Sequence, residues 1–135
     1  MRTEIIEITT GEDVLTDVTA HAARFVDGRG AGLLNLFVPH ATAALVVVEL
    51  DAGSDRDLEA LLERLIPHGS DYRHRHGSFG HGADHLITPL LSPSLTIPVI
   101  DGRMALGPWQ SLVVVDTNRD NLIRQLRLSL LESLR

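Results

Sequence analysis

The chain has 135 residues, 44% of them apolar, and 12 arginines with no lysine against 18 acidic residues, for a net charge of −6. That length and apolar share fit one domain, 1–135, with a real core and exclude a disordered chain, and the acidic balance opposes non-specific binding to nucleic acid or to an anionic membrane. There is no cysteine, so disulfides and thiolate metal sites are excluded.

Residues 3–9 (TEIIEIT) predict a first strand, because Ile5, Ile6 and Ile8 are β-branched. Residues 13–27 predict an amphipathic helix: Val14, Leu15, Val18, Ala22, Phe25 and Val26 recur at helical spacing, and Asp27–Gly30 end it. Residues 32–38 and 43–49 are apolar runs of strand length, so continuous that both faces of each should be covered. Residues 54–66 predict the clearest helix, with Ser54 or Asp55 as cap, a stripe of Leu58, Leu61, Leu62 and Leu65, and Pro67 as stop. A polar, glycine-rich loop covers 68–80, followed by a helix over 81–91 that Gly82 and Pro89 weaken. Residues 94–100 predict a strand, Asp101-Gly102 a hairpin turn, 103–106 a short strand and 109–116 a buried strand. Residues 122–130 read either as a strand or as a helix, since Leu122, Leu126 and Leu130 also fit the helical period. The pattern as a whole is α+β, with short strands and two to three helices.

No basic-then-apolar leader opens the sequence, and Asn35, Pro39 and His40 interrupt the greasiest stretch, Leu33–Leu50. The expected location is the cytoplasm, with no membrane partner. Five aromatic residues offer few platforms for stacking bases.

Chemistry concentrates in the histidines. His68, His74, His76, His81 and His85 crowd into 18 residues too polar to build a core. His81 and His85 are four apart, on one face of a helix; together they would meet one ion or anion, or else form a solvated surface pair. Of His74 and His76, one should face inward, and His74 is the choice. His40 shares strand parity with Leu34, Leu36 and Val38, and Thr42 beside it offers a hydroxyl for a phosphate or for fixing an imidazole tautomer. Glu49 has the parity of Leu45 and Val47, and a carboxylate at the end of a buried strand needs a partner unless solvent reaches it. Arg124 has the parity of Leu126, Leu128 and Leu130: it presents a donor fork to phosphate or carboxylate, or snorkels past the core edge. Trp109 is expected in the core or at a subunit interface, and Gln110 beside it could bind a substrate or a partner backbone. Asp71, Asp84 and Asp116 are lesser candidates. Imidazole and carboxylate hold zinc and similar ions and also move protons. His40, His74, His81, His85 and Glu49 are therefore the candidate ligands of a divalent ion, zinc or magnesium. No P-loop, G-x-G-x-x-G or G-x-S-x-G occurs, which speaks against nucleotide-motor, dinucleotide and serine-hydrolase readings.

Several segments carry a family resemblance. VPHATAALVVVE resembles a "P-H-T-T/S-A-A-L…E" block, DYRH a "Y-x-H" element, and GADHL an "A-x-A-H-L" helix. SPSLTIPVIDGRMALGPWQSLVVVD resembles "G-P-S-x-x-I-P-V-x-x-G-x-L-x-L-G-T-W-Q-x-I-x-L-x-E". Over residues 30–130 the chain is similar to the YjbQ-like family, often called secondary thiamine-phosphate synthase. The resemblance implies a compact α+β domain with a strongly bent mixed β-sheet, assembled as a homotrimer. It also implies a pocket near subunit contacts, built around His40, Glu49, His74, His85 and Gln110, with Arg124 matching an arginine near the C-terminal strand. Two departures stand out: Phe79-Gly80-His81 replaces the common D-G-N, which makes His81 a substitute ligand, and Asn118–Asn121 replaces a D-G-P-R turn.

The expected function is metal-assisted transfer of a pyrimidine methyl group from its pyrophosphate to a thiazole phosphate. His40, Glu49, His74, Gln110 and Arg124 would be catalytic, and Thr42 and Arg124 would hold phosphate. The alternatives are metal-dependent hydrolysis of a small phosphorylated or acyl substrate, and a non-catalytic trimer that binds a metal or small anion.

Overall fold

The computed structural model describes residues 1–10, 12–69 and 71–133. In chain order the elements are β1 (Arg2–Thr9), β2 (Leu15–Asp17), α1 (Thr19–Val26), β3 (Gly32–Phe37), β4 (Ala43–Val48), α2 (Ser54–Leu65), α3 (His81–Leu90), β5 (Ser94–Ile100), β6 (Arg103–Met104), β7 (Ser111–Asp116) and β8 (Ile123–Glu132). The α+β class is as expected. The strands divide into a five-stranded sheet, β1-β8-β3-β5-β6, and a three-stranded sheet, β2-β7-β4. Each described ladder is antiparallel.

Strand parity builds the layers. Leu126, Leu128 and Leu130 of β8 and Leu34 and Leu36 of β3 face inward, against Ala43 and Leu45 of β4 and Leu112 and Val114 of β7. Ala22, Phe25 and Val26 of α1 join this core. The opposite face of the three-stranded sheet, through Ala44 and Val115, packs on Leu62 of α2, on Ile66 just after it, and on Ala83 and Ile87 of α3. The three-stranded sheet is thus covered on both sides, which is why β4 and β7 read as unbroken apolar runs. β8, bare on its outer face, alternates instead, and this settles residues 122–130 as strand.

The helix expected over 13–27 is corrected. Leu15–Asp17 pair with Val113–Val115 of β7, and only Thr19–Val26 are helical. Val14, Thr16 and Val18 are β-branched and sit beside an open β7 edge, so a long-range ladder outcompetes a local periodicity. The Asp17 carboxylate then accepts the Thr19 backbone N–H at 2.9 Å, opening the helix. The caps expected at Ser54 or Asp55 are corrected too: Gly53, at φ 101°, precedes α2, and Ser54 is already its first residue. Pro89 falls in the last turn of α3, where it forfeits only one helical hydrogen bond. No described helix is long and apolar enough to cross a membrane.

Candidate metal centre

The first turn of α3 and the loop before it build a cluster of four imidazoles. His81 and His85, one turn apart, bring their Nε2 atoms to 3.2 Å. The loop returns His74 over them, with ring centroids 4.2 Å from His85 and 5.2 Å from His81. One ligand atom from each of His74, His81 and His85 lies within 4.8 Å of the other two, and among the described residues this is the group that converges so. His76 is exposed and lies against His74, with ring centroids 3.9 Å apart and planes tilted by 60°. Gly77, at φ +85°, permits the fold-back: a Cβ there would lie 2.5 Å from His81 Cδ2.

The cluster's chemistry fits a borderline cation. Nδ1 of His74 is buried without a hydrogen bond, an orphaned lone pair beside the other two rings. Burial lowers the pKa of His74, and the neighbouring His76, His85 and His81 lower it further. Burial likewise lowers that of His85, followed by His81 and His76. These two rings are therefore held neutral, the form that donates a lone pair. An all-nitrogen set suits zinc and its neighbours, whereas magnesium prefers oxygen.

Two clefts flank segment 78–79. One, of about 240 Å³, is lined by His74, His76, His81, Arg75, Ser78 and the backbone of four glycines, with no carboxylate among its described lining residues. The other, of about 350 Å³, lies between α2 and α3; it has an apolar floor that includes Leu62, Ile66 and Ile87, and Glu59, Glu63, His68 and Asp84 on its walls. Arg75 was not singled out from the sequence. The signal available was its place between two histidines in the basic run RHRH.

The other candidates fall into two places. Arg124, 3% exposed, turns its fork to Asp116, with Nε 2.6 Å from Oδ2 and Nη2 3.2 Å from Oδ1. Nη2 also donates to Thr42 Oγ1 at 3.0 Å, and Thr10 Oγ1 donates to Asp116 at 2.6 Å. Nearby, His40 Nε2 accepts the Gln125 backbone N–H at 2.8 Å, so a neutral His40 carries its proton on Nδ1. Burial lowers the His40 pKa, as does the Arg124 charge, against an upward pull from Asp116.

Glu49 and Gln110 lie at the opposite end of the three-stranded sheet, just beyond the Val48–Ser111 pair, whereas Thr42 adjoins the Ala43–Asp116 pair. At strand rise, Thr42 and Glu49 are separated by roughly 20 Å. The Gln110 Oε1 accepts the Gly107 N–H at 2.8 Å. Trp109 is 75% exposed, which corrects its expected place in the core of the subunit.

An antiparallel α+β sandwich with a histidine cluster at the start of its third helix defines the structural class. The model of the family described as "UPF0047 protein YjbQ-like" matches residues 4–133. The chain belongs to that family. It is 47% identical over 132 residues to the UPF0047 protein Rv2556c of Mycobacterium tuberculosis, covering 98% of this chain and 99% of that one. A UPF0047 protein of Archaeoglobus fulgidus is 36% identical over 103 residues, covering 76% of this chain and 79% of its own length. Among solved structures, the hypothetical protein APE1520 of Aeropyrum pernix superposes with a TM-score of 0.87 at 28% identity, covering 98% of this chain and all of that one. The conserved hypothetical protein TT1486 of Thermus thermophilus gives 0.81 at 30% identity, covering 95% and 99%.

Proposed function

We propose that this protein is a metal-assisted enzyme acting on a small phosphorylated molecule, with His74, His81 and His85 holding a zinc-like divalent ion. The observation that carries the reading is the convergence of three imidazole nitrogens within 4.8 Å beside a cleft lined by imidazoles and Arg75. The bound ion would supply positive charge to a departing phosphate or pyrophosphate oxygen. Arg75 binds and orients the anion, and the glycine-rich backbone at Gly77 and Gly80 lets the anion approach closely. His76, exposed beside His74, is placed to hand a proton to a leaving oxygen. Arg124, held by Asp116 and Thr42, anchors the strand that fixes His40.

With the resemblance as support, the reaction we propose joins a pyrimidine methyl pyrophosphate to a thiazole phosphate with release of pyrophosphate. His40, Glu49 and Gln110 enter through assembly. Glu49 and Gln110 are too distant from Thr42 and His40 within one chain, so a homotrimer would bring them to a neighbouring subunit's pocket. Exposed Leu33, Ile100, Trp109 and Leu131 are suitable apolar surface for such an interface. Zinc-loaded protein, supplied with both substrates, should form thiamine phosphate and pyrophosphate, and His85→Ala should abolish both. Phosphate release without coupling would favour the hydrolase, and ligand-raised melting without turnover the binding protein.

A further inference from the structure

Beneath the ion-binding face of His81 lies a chain of charged groups that the proposed reaction does not use. Asp84 is only 2% exposed, and its two oxygens do different things. Oδ1 accepts the Thr117 hydroxyl at 2.6 Å and lies 2.9 Å from His68 Nε2. Oδ2 lies 3.4 Å from His81 Nδ1, close enough for its charge to act on that nitrogen although the two do not meet in hydrogen-bond geometry. His68 is itself bracketed, since its Nδ1 stands 3.2 Å from Glu63 Oε2 and its backbone N–H donates to Glu63 Oε1 at 3.3 Å. An imidazole with a carboxylate at each nitrogen satisfies both only as the imidazolium. Accordingly, although burial pulls the His68 pKa down, hydrogen bonding to Asp84 and then Glu63 outweighs it, and the net shift is upward.

We propose that Asp84 is a positioning residue for His81, held in that role by His68 and Thr117. This rests on the three-histidine reading above and deepens it. To present its Nε2 lone pair beside His85, His81 must keep its proton on Nδ1, and an anionic oxygen at Nδ1 selects that tautomer. Asp120 Oδ2 also approaches His81 Nδ1, at 3.3 Å, but Asp120 is 37% exposed at its side chain and accepts the Ser78 N–H. Asp84 sits in the drier place, where its charge is screened less. His68 and Thr117 occupy Oδ1 and leave Oδ2 for His81.

The test uses the full chain without a histidine tag. Zinc affinity is measured by competition with a chromophoric chelator, and the visible spectrum of the cobalt(II)-loaded protein is recorded. Asp84→Asn should weaken zinc about 10–100-fold, the range for loss of a partner behind a histidine ligand. It should also shift the cobalt bands, which a merely structural role would not move. Asp84→Glu should restore part of the affinity. His68→Gln and Thr117→Val change no residue in reach of the ion, yet should weaken zinc in the same direction; they serve if Asp84→Asn does not fold. Wild-type affinity and spectrum in the folded variants, with zinc lost in His85→Ala, would overturn the role of Asp84 and leave the three-histidine site standing. Wild-type zinc binding in His85→Ala as well would overturn both.

Discussion

Arg124 and Asp116 form a two-pronged ion pair in which both side chains are buried, with Nε 2.6 Å from Oδ2 and Nη2 3.2 Å from Oδ1. The pair fastens the start of β8 to the end of β7, and Thr10, Thr42 and the Asn118 backbone N–H supply further hydrogen bonds. Removing one partner strands the other charge in a dry site. Arg124→Met should therefore destabilise the fold by about 3–5 kcal/mol, measured by urea unfolding. A loss well under about 1 kcal/mol, the range of exposed pairs, would contradict this account.

Acid should weaken the fold through His40. Its unfolded pKa is about 6.5 and its folded pKa lies lower, because of burial and then the Arg124 charge. The unfolded state thus takes up the proton first. The contribution is fully present above about pH 6.5 and is lost as the pH falls through the folded value. His74 and His85, also lowered, act with the same sign. His40→Gln keeps an acceptor for the Gln125 N–H but cannot titrate, so its urea midpoint should fall less steeply on acidification than the wild type's. Parallel slopes would refute the assignment.

His68 should show the opposite sign. Burial lowers its pKa, but Asp84 and Glu63 raise it above the unfolded value on balance. Its contribution is complete below about pH 6.5 and disappears as the pH rises through the folded value. His68→Gln should cost stability at mildly acidic pH and little at alkaline pH. Its side chain is 36% exposed, so the effect is modest.

Gly77→Ala tests the loop. A methyl group at φ +85° is strained, and it would meet the His81 ring at 2.5 Å. The variant should lose zinc while its far-ultraviolet spectrum remains that of the wild type, because residue 77 lies outside every helix and strand.

Assembly can be tested on the outer face of the five-stranded sheet. Leu33 pairs with Pro98 on one side and Leu131 on the other, and all three are exposed. If this patch joins subunits, the 14.8 kDa chain should run in light scattering at three times its mass, and Leu33→Asp should return it to one. An unchanged mass in the variant would place the interface elsewhere or remove it.

The legible parts of the sequence were those set by local period. The period of α2, the alternation in β8 and the Asp101-Gly102 turn translated into elements, although Leu61 and Leu65 of the α2 stripe are exposed and only Leu62 is buried, and the four-residue spacing of His81 and His85 became a 3.2 Å nitrogen separation. What long-range pairing decides was hidden. β2 looked helical because its β7 partner is about 100 residues away, and Arg124 showed its inward parity but not Asp116. Parity also could not show that β4 carries Thr42 and Glu49 to opposite ends of one sheet. Asp84 looked like an ordinary surface aspartate, since nothing local announces that α2, α3 and the segment after β7 close over it.

Metal analysis decides whether His74, His81 and His85 hold an ion. Tag-free wild-type protein, loaded with zinc and passed through gel filtration, should retain one zinc per chain by mass spectrometry, and folded His81→Ala and His85→Ala proteins should retain almost none. Equal zinc in all three proteins, or none in the wild type, would contradict the account.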